Sequence, residues 1–274
     1  MTIAPLPLLE GPVLVIAPHM DDESLGCGLL LASHPRKECL HILFVTDGSH
    51  SPERAGGASE SLRRELARVR EREAREATAI LGLPPANVEF LGLEDGALAA
   101  TPERLRAALV DYVRCIGAEQ LLVPFRYDRH PDHLAISRAV TRAHADGAIT
   151  ATVFEYFVYS HWRLLPGGDV RAYLPASELR MLEPGPGPVA ALKRRALECH
   201  RSQTTRYFDW QSRPVLTPQL LDRACSGPEL YLLQDPARPG NRILARARHW
   251  VPIAHGLEPL LKRWKDRATG WQGR

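Results

Sequence analysis

Through its first 145 residues the chain alternates short, almost unbroken apolar runs with longer stretches whose apolar positions recur every three or four residues. The first kind predicts strands buried on both faces, and the second predicts amphipathic helices that cover them. Val13 to Ala17 opens the series, followed by a helix from Glu23 to Ala32 in which Gly26 and Gly28 allow close packing. Leu40 to Thr46 is a second strand, ended by Asp47-Gly48, and residues 49–61, rich in Gly, Ser and Pro, predict a surface loop. From Ser61 to Leu81 the positions Leu62, Leu66, Val69, Ala77 and Ile80 draw one apolar stripe on a charged helix, stopped by Gly82 and Pro84. A third strand (Val88 to Leu91), a helix from Pro102 to Cys115 with Thr101 as N-cap, a fourth strand (Leu121 to Pro124) and a helix to Ala145 complete the alternation.

Repeated strand-helix-strand units predict an α/β fold: a Rossmann-like, mostly parallel sheet with helices on both faces. Beyond Thr150 the texture changes. Thr152 to Tyr159 is β-branched and aromatic and reads as a strand, with Arg171 to Leu174 as a further candidate. Residues 184–188 form a connector, 189–202 a helix, and Glu229 to Leu233 a strand returning to the sheet. The organisation expected is a single domain over residues 1–274, with a core at 12–205 and a C-terminal extension at 206–274. At its end, residues 257–274 set Leu260, Leu261 and Trp264 beside Lys262, Arg263, Lys265 and Arg267. A short helix docked on its own domain is favoured there over a membrane-surface or partner-binding element.

Composition narrows the function classes. The 35 basic residues are interleaved with 32 acidic ones for a formal charge of +3, which builds no single-sign field for nucleic acid. Five cysteines, at 27, 39, 115, 199 and 225, include no Cys-x-x-Cys and read as reduced thiols of a cytoplasmic protein. The N-terminal stretch has no basic segment ahead of an apolar core, and no segment reaches the ~18 apolar residues of a membrane span. Stable membrane insertion is therefore not expected. A homo-oligomer remains compatible with the sequence.

Two segments carry the chemistry: Ala17-Pro-His-Met-Asp-Asp-Glu-Ser24 and Arg129-His-Pro-Asp-His-Leu134. Each follows a predicted strand and leads into a predicted helix, so a parallel sheet brings both to its carboxyl edge, where ligands bind. A catalytic metal site needs three protein ligands and one open position, and His19, Asp22 and His133 meet that requirement in a form suited to zinc. Asp21 then remains unliganded as a general base. His130, as an imidazolium, is available to stabilise an oxyanion or protonate a leaving amine, with Asp132 as its partner. Each segment alone has a plainer reading: Asp-Asp-Glu as helix N-terminal capping, and His-Pro-Asp-His as a turn capped by Asp132. Their conjunction at two strand ends favours the functional reading.

With these residues in place, the chain resembles the PIG-L/LmbE family of zinc-dependent N-acetylglucosaminyl deacetylases, whose first motif is usually Ala-His-Pro-Asp-Asp-Glu. The resemblance covers roughly residues 12–205 and includes Thr46-Asp-Gly48, the Arg/Glu-rich helix ending Ala-Ile-Leu-Gly82, and Lys193-Arg-Arg-Ala-Leu-Glu-Cys-His-Arg-Ser-Gln203. It implies zinc on His19, Asp22 and His133, Asp21 as the base, and His130 with Asp132 at the tetrahedral intermediate. It also implies substrate-binding roles toward sugar hydroxyls for Arg70, with Arg63, Arg64 and Arg68 as competing positions, and for Asp95. Met20 replaces the usual proline, and Asp128 stands where some members have a tyrosine, placed to support His130. The segment after residue 205 matches the family weakly and is expected to shape substrate choice.

The function expected is therefore zinc-dependent hydrolysis of an N-acetyl or similar N-acyl group on an amino-sugar-containing small molecule. Trp162, Tyr207 and Trp210 are available to stack on a sugar. Two other enzymatic readings share the ligand set: a hydrolase of a non-sugar amide, and a non-haem iron enzyme with two histidines and one carboxylate. A non-enzymatic metal-dependent binding module is a further alternative. His50 and His161 lie on loops leading toward the cleft mouth, His34, His41, His144, His249 and His255 read as surface or packed structural residues, and Cys27 reads as a buried small residue in preference to a nucleophile.

Overall fold

The structure, a computed structural model, describes residues 2–52, 57–128, 130–158, 174–185 and 187–234. Its strands are β1 (Ala4–Pro5), β2 (Val13–Ala17), β3 (Leu40–Thr46), β4 (Val88–Leu93), β5 (Gln120–Pro124), β6 (Thr152–Tyr156), β7 (Leu179–Leu182) and β8 (Glu229–Leu233). They form one sheet in the order β1-β7-β8-β6-β5-β2-β3-β4. From β2 to β6 all neighbours pair in parallel, whereas β8 runs antiparallel to both β6 and β7.

The helices are α1 (Asp22–Ser33), α2 (Glu60–Ile80), α3 (Pro102–Ile116), α4 (Pro131–Ala145), α5 (Val189–Cys199), α6 (Arg201–Thr204) and α7 (Pro218–Cys225). Strand β2 shows why its run is apolar throughout. Val13, Val15 and Ala17 enter one core with residues of α1, α2, α5 and α7, while Leu14 and Ile16 enter the other with residues of α3 and α4. Alternate side chains point to opposite faces, and both faces are covered.

The strand order fixes where the two motifs meet. From β2 the chain moves outward through β3 and β4, then returns to add β5 on the other side of β2, with Val13, Leu14 and Val15 opposite Gln120, Leu121 and Leu122. The order reverses between β2 and β5, which is the topological switch point where open α/β sheets bind ligands at their carboxyl ends. His19 follows β2 directly and His130 follows β5, so the chain topology brings the motifs together.

Several elements differ from expectation. The helix expected over 189–202 is two helices, broken at His200, because Ser202 is drawn to Glu73 and His200 to Glu23. Thr101 occupies the N-cap position of α3 without a side-chain capping bond. The strand from Thr152 ends at Tyr156. Tyr159, Arg171 to Tyr173 and residues 257–274 lie outside the described residues. The short strands β1 and β7 and the helix α7 were not expected, and α7 and β8 carry the fold beyond residue 205.

Candidate active site

The turn from β2 into α1 is pinned before any functional side chain is considered. The backbone N–H and the hydroxyl of Thr46 both donate to the Pro18 carbonyl, at 3.0 and 2.8 Å. Asp47 Oδ1 accepts from the N–H groups of Ser49 and Asp95, tying the β3 and β4 loops to each other. Three strand ends are thus linked around one point.

At that point the imidazoles of His19, His130 and His133 gather, with ring centroids 4.5 Å (19 to 130), 5.4 Å (19 to 133) and 5.2 Å (130 to 133) apart. Asp22 Oδ2 lies 3.1 Å from His19 Nδ1 and 3.1 Å from His133 Nε2, and accepts from the His19 backbone N–H at 3.0 Å. On the other side, His19 Nε2 is 3.2 Å from Asp95 Oδ1 and 3.3 Å from Asp132 Oδ2. Ligand atoms of His19, His130 and His133, and of His19, Asp95 and Asp132, lie within 4.8 Å of one another. The expected trio His19, Asp22 and His133 is therefore brought together, with Asp22 between the two rings and His130 equally near.

Two imidazoles and a carboxylate, all buried and converging from two strand ends, are a donor set that fits a divalent metal. The electrostatics agree. Burial works to lower the His19 and His133 pKa values, but Asp132, Asp22 and Asp95 raise that of His19, and Asp22 and Asp128 raise that of His133 to about 9. Burial likewise works against ionised Asp22, Asp95 and Asp132, yet the facing histidines hold all three carboxyls below the usual range. The field favours a cation here.

Asp21 is buried and sits at the N-cap position of α1, but makes no capping bond with its side chain. Capping therefore does not account for this carboxylate. Its backbone has φ 147° and ψ −24°, a conformation that costs a non-glycine residue about 1–3 kcal/mol and persists where surroundings enforce it. Burial pushes its carboxyl up to about 6, against the charge of Arg70 and with that of Asp22. Arg70, expected to reach sugar hydroxyls, is 2% exposed and is used instead on the loop. It donates to the carbonyls of Met20 (2.8 Å) and Gly48 (3.2 Å) and lies 3.5 Å from Asp21 Oδ2. Asp95 is buried beside His19, and its other oxygen accepts from the His50 backbone N–H at 3.0 Å.

The second motif is arranged differently from its sequence reading. His130 is the N-cap of α4, and its Nδ1 accepts from the Asp132 N–H at 3.3 Å, which leaves the proton of a neutral ring on Nε2. Burial and the charges of His19 and His133 push its pKa down to about 4, so the ring is neutral, where the sequence reading had an imidazolium. Asp132 caps nothing in its own helix. Its carboxylate accepts from the N–H groups of Gly96 (2.7 Å) and Leu98 (3.2 Å) and meets His19, while its distance to His130 Nδ1 is 3.9 Å. Asp128 supports His133, not His130, through a 3.1 Å contact to Nδ1.

Sequence reasoning did not single out Glu23 or His200, both fully buried and joined at 3.2 Å, although both fall in segments that carried the resemblance. Of the aromatic residues, Tyr207 is exposed and Trp210 stacks on Phe208, while Trp162 and His161 lie outside the described residues. Cys27 is fully buried and burial raises its thiol pKa, as suits a packed residue. A groove of about 850 Å³ lies between α3 and α4, lined in part by Arg106, Arg126, Tyr127, Leu134 and Arg138. Among the described residues, no helix is long and apolar enough to cross a membrane.

Comparison with known proteins adds to this geometry. Residues 14–144 match the family model described as PIG-L, GlcNAc-PI de-N-acetylase. "Probable N-acetyl-alpha-D-glucosaminyl L-malate deacetylase 2" of Bacillus anthracis is 34% identical over 138 residues, 49% of this chain and 59% of that protein. The 2'-N-acetylparomamine deacetylase of Streptomyces fradiae is 27% identical over 168 residues, 57% of this chain and 60% of that protein. The chain thus spans about 60% of the length of these two relatives. Among solved structures, a conserved protein of Thermus thermophilus superposes with a TM-score of 0.58 at 24% identity, covering 84% of this chain and 98% of that one, a likeness of fold.

Proposed function

We propose, from the match of residues 14–144 to the PIG-L family model, that this chain is a zinc-dependent hydrolase removing an N-acetyl or similar N-acyl group from an amino-sugar-containing small molecule. The names of its relatives, deacetylases of a glucosaminyl malate and of an acetylated paromamine, support the substrate class. The observation that carries the reading is the convergence of His19, Asp22 and His133 beside a buried carboxylate, Asp21, that neither caps its helix nor bridges the two rings. Five cysteines without a disulfide suit a reducing, cytoplasmic compartment.

His19, Asp22 and His133 would hold the metal. Bound there, zinc supplies Lewis acidity toward the amide carbonyl and the attacking water. Asp21 accepts a proton from that water as its oxygen adds to the carbonyl carbon. The same carboxyl returns the proton to nitrogen as the C–N bond breaks, giving a carboxylic acid and a free amine, the second water proton staying on the added oxygen. His130, through its Nε2–H, donates to the oxyanion as a neutral ring. Asp132 fixes the start of α4 to the Gly96–Leu98 turn and so sets where His130 stands. Asp95 is the carboxylate available to a sugar hydroxyl, and Arg70 approaches the substrate only through the Asp21 loop that it holds.

Amine release from a panel of N-acetylated sugars and glycosides, by zinc-loaded and chelator-stripped protein in parallel, tests the reading. Zinc-dependent release from one member supports it and names the acceptor. Binding of one equivalent of zinc with no release from any member overturns the amino-sugar assignment and directs the search to non-sugar amides.

A further inference from the structure

The peptide unit joining Met20 to Asp21 is gripped at both ends. Its carbonyl accepts from Arg70 Nη2 at 2.8 Å, and its N–H donates to Glu23 Oε2 at 2.9 Å. This unit leads into Asp21, the sole non-glycine residue with positive φ among the described residues. Both gripping side chains are buried, Arg70 at 2% exposure and Glu23 at 0%.

Glu23 is itself held. Its Oε1 accepts from Ser24 Oγ at 2.6 Å and from His200 Nε2 at 3.2 Å, and His200 is fully buried although 177 residues away in sequence. The position of His200 is fixed by the break between α5 and α6. Directly after the break, the N–H and hydroxyl of Ser202 donate to Glu73, at 2.9 and 2.7 Å. Glu73 lies one turn along α2 from Arg70. The two sides of the grip are thus anchored to each other by way of α2 and the α5–α6 corner. The deacetylation steps make no use of this corner, although the segment that forms it, Lys193 to Gln203, is part of the sequence resemblance.

We propose that His200, acting through Glu23, is a positioning residue that holds the Met20–Asp21 peptide in its strained orientation and so aims the Asp21 carboxylate at the cluster of His19, Asp22 and His133. The proposal rests on Asp21 being the base. A carboxylate at Glu23 with two fixed donors on Oε1 presents Oε2 in one direction, toward the Asp21 N–H. Without His200, one of those donors is lost and a buried lone pair is left to find another partner. Glu23 then turns, and the backbone of Asp21 relaxes. A merely structural His200 would contribute to folding without affecting the geometry of Asp21.

The test compares wild type with His200→Leu and with His200→Gln, whose side-chain amide can still donate to Glu23. Crystal structures, bound metal per chain, Tm, kcat and KM are measured for each. For His200→Leu the expected result is one metal per chain, an unchanged KM, loss of the positive φ at Asp21 and a kcat lowered about 100-fold by the misplaced carboxylate. His200→Gln recovers most of that kcat and the Asp21 backbone. A His200→Leu protein that keeps the Asp21 conformation and kcat, with only Tm lowered, overturns the proposal. Should His200→Leu fail to fold, Glu23→Gln decides the matter: an altered Asp21 backbone and lower kcat with metal retained support it, and an unchanged backbone and kcat overturn it. If wild type deacetylates no substrate, the deacetylase reading fails, while the Asp21 backbone in the variant crystals still decides the positioning role.

Discussion

The Nδ1–H of His133 donates to Asp128 Oδ2 at 3.1 Å, and Nε2 of the same ring faces Asp22 Oδ2, also at 3.1 Å. A carboxylate can only accept, so Nδ1 carries a proton toward Asp128, and Nε2 on the far side of the ring is the nitrogen that the proposed metal would take, displacing the proton that faces Asp22. Both residues are fully buried, which leaves the ring little freedom to turn. Asp128→Ala is expected to weaken zinc binding by about 10–100-fold while leaving the ligands present. Competition against a chelator of known affinity measures this, and an unchanged affinity would remove Asp128 from ligand orientation.

Asp21→Asn separates catalysis from metal binding. The amide keeps the size of the carboxylate but cannot take a proton, and Asp21 does not bridge the two histidines as Asp22 does. The variant is expected to bind one equivalent of zinc and to lose turnover by about 100- to 10,000-fold, the usual contribution of a general base. Retention of full turnover would assign the base elsewhere. Loss of zinc would mean that Asp21 acts as a ligand.

Most of the sheet was legible because β2 and β5 are buried on both faces and so appear as unbroken apolar runs. Convergence of the two motifs followed from the strand-to-helix placement alone. What the sequence did not disclose was pairing. Asp128 precedes His130 by two residues and His133 by five, and no period relates positions in the turn ahead of α4, so its choice of partner depends on how that turn folds. The helix expected over 189–202 has a continuous pattern because the forces that break it lie far away in sequence, at Glu23 and Glu73. Strands β1 and β7, of two and four residues, are too short for alternation to register.

Lys193 and Glu229 form a buried ion pair at 2.7 Å that is stitched into α1. Lys193 Nζ also donates to the Leu25 carbonyl at 3.0 Å, and the Glu229 carboxylate accepts from the N–H groups of Leu29 (2.7 Å) and Leu30 (3.0 Å). Gly28 makes room for the lysine, since a Cβ there would lie 2.7 Å from Lys193 Cγ. Lys193→Met would leave the Glu229 charge buried and uncompensated, so a loss of about 3–5 kcal/mol is expected in urea unfolding. A loss below about 1 kcal/mol, the range of an exposed pair, would show that water reaches Glu229 and restores its solvation.

Gly26 sets two opposing effects against each other. In the interior of a helix, alanine is favoured over glycine by about 1 kcal/mol, so Gly26→Ala would stabilise α1 if nothing stood in the way. A Cβ at this position would lie 2.9 Å from Cε2 of Tyr156 and closer still to Cδ2. That ring has nowhere to retreat: Tyr156 is fully buried on β6, and its hydroxyl donates to the Ile16 carbonyl on β2 at 3.0 Å. Overpacking of this kind costs about 1–3 kcal/mol, which matches or exceeds the gain in propensity. The helix must therefore shift, and the helix that shifts carries Asp22 at its first position. Gly26→Ala is expected to unfold at lower urea concentration and also to bind zinc more weakly, the two losses arising from one displacement. Tyr156→Leu, combined with Gly26→Ala, should recover part of the zinc affinity by making room for the new methyl group. A Gly26→Ala protein more stable than wild type would show that the Tyr156 ring moves aside, and that α1 is not held at its observed distance from the sheet by this contact.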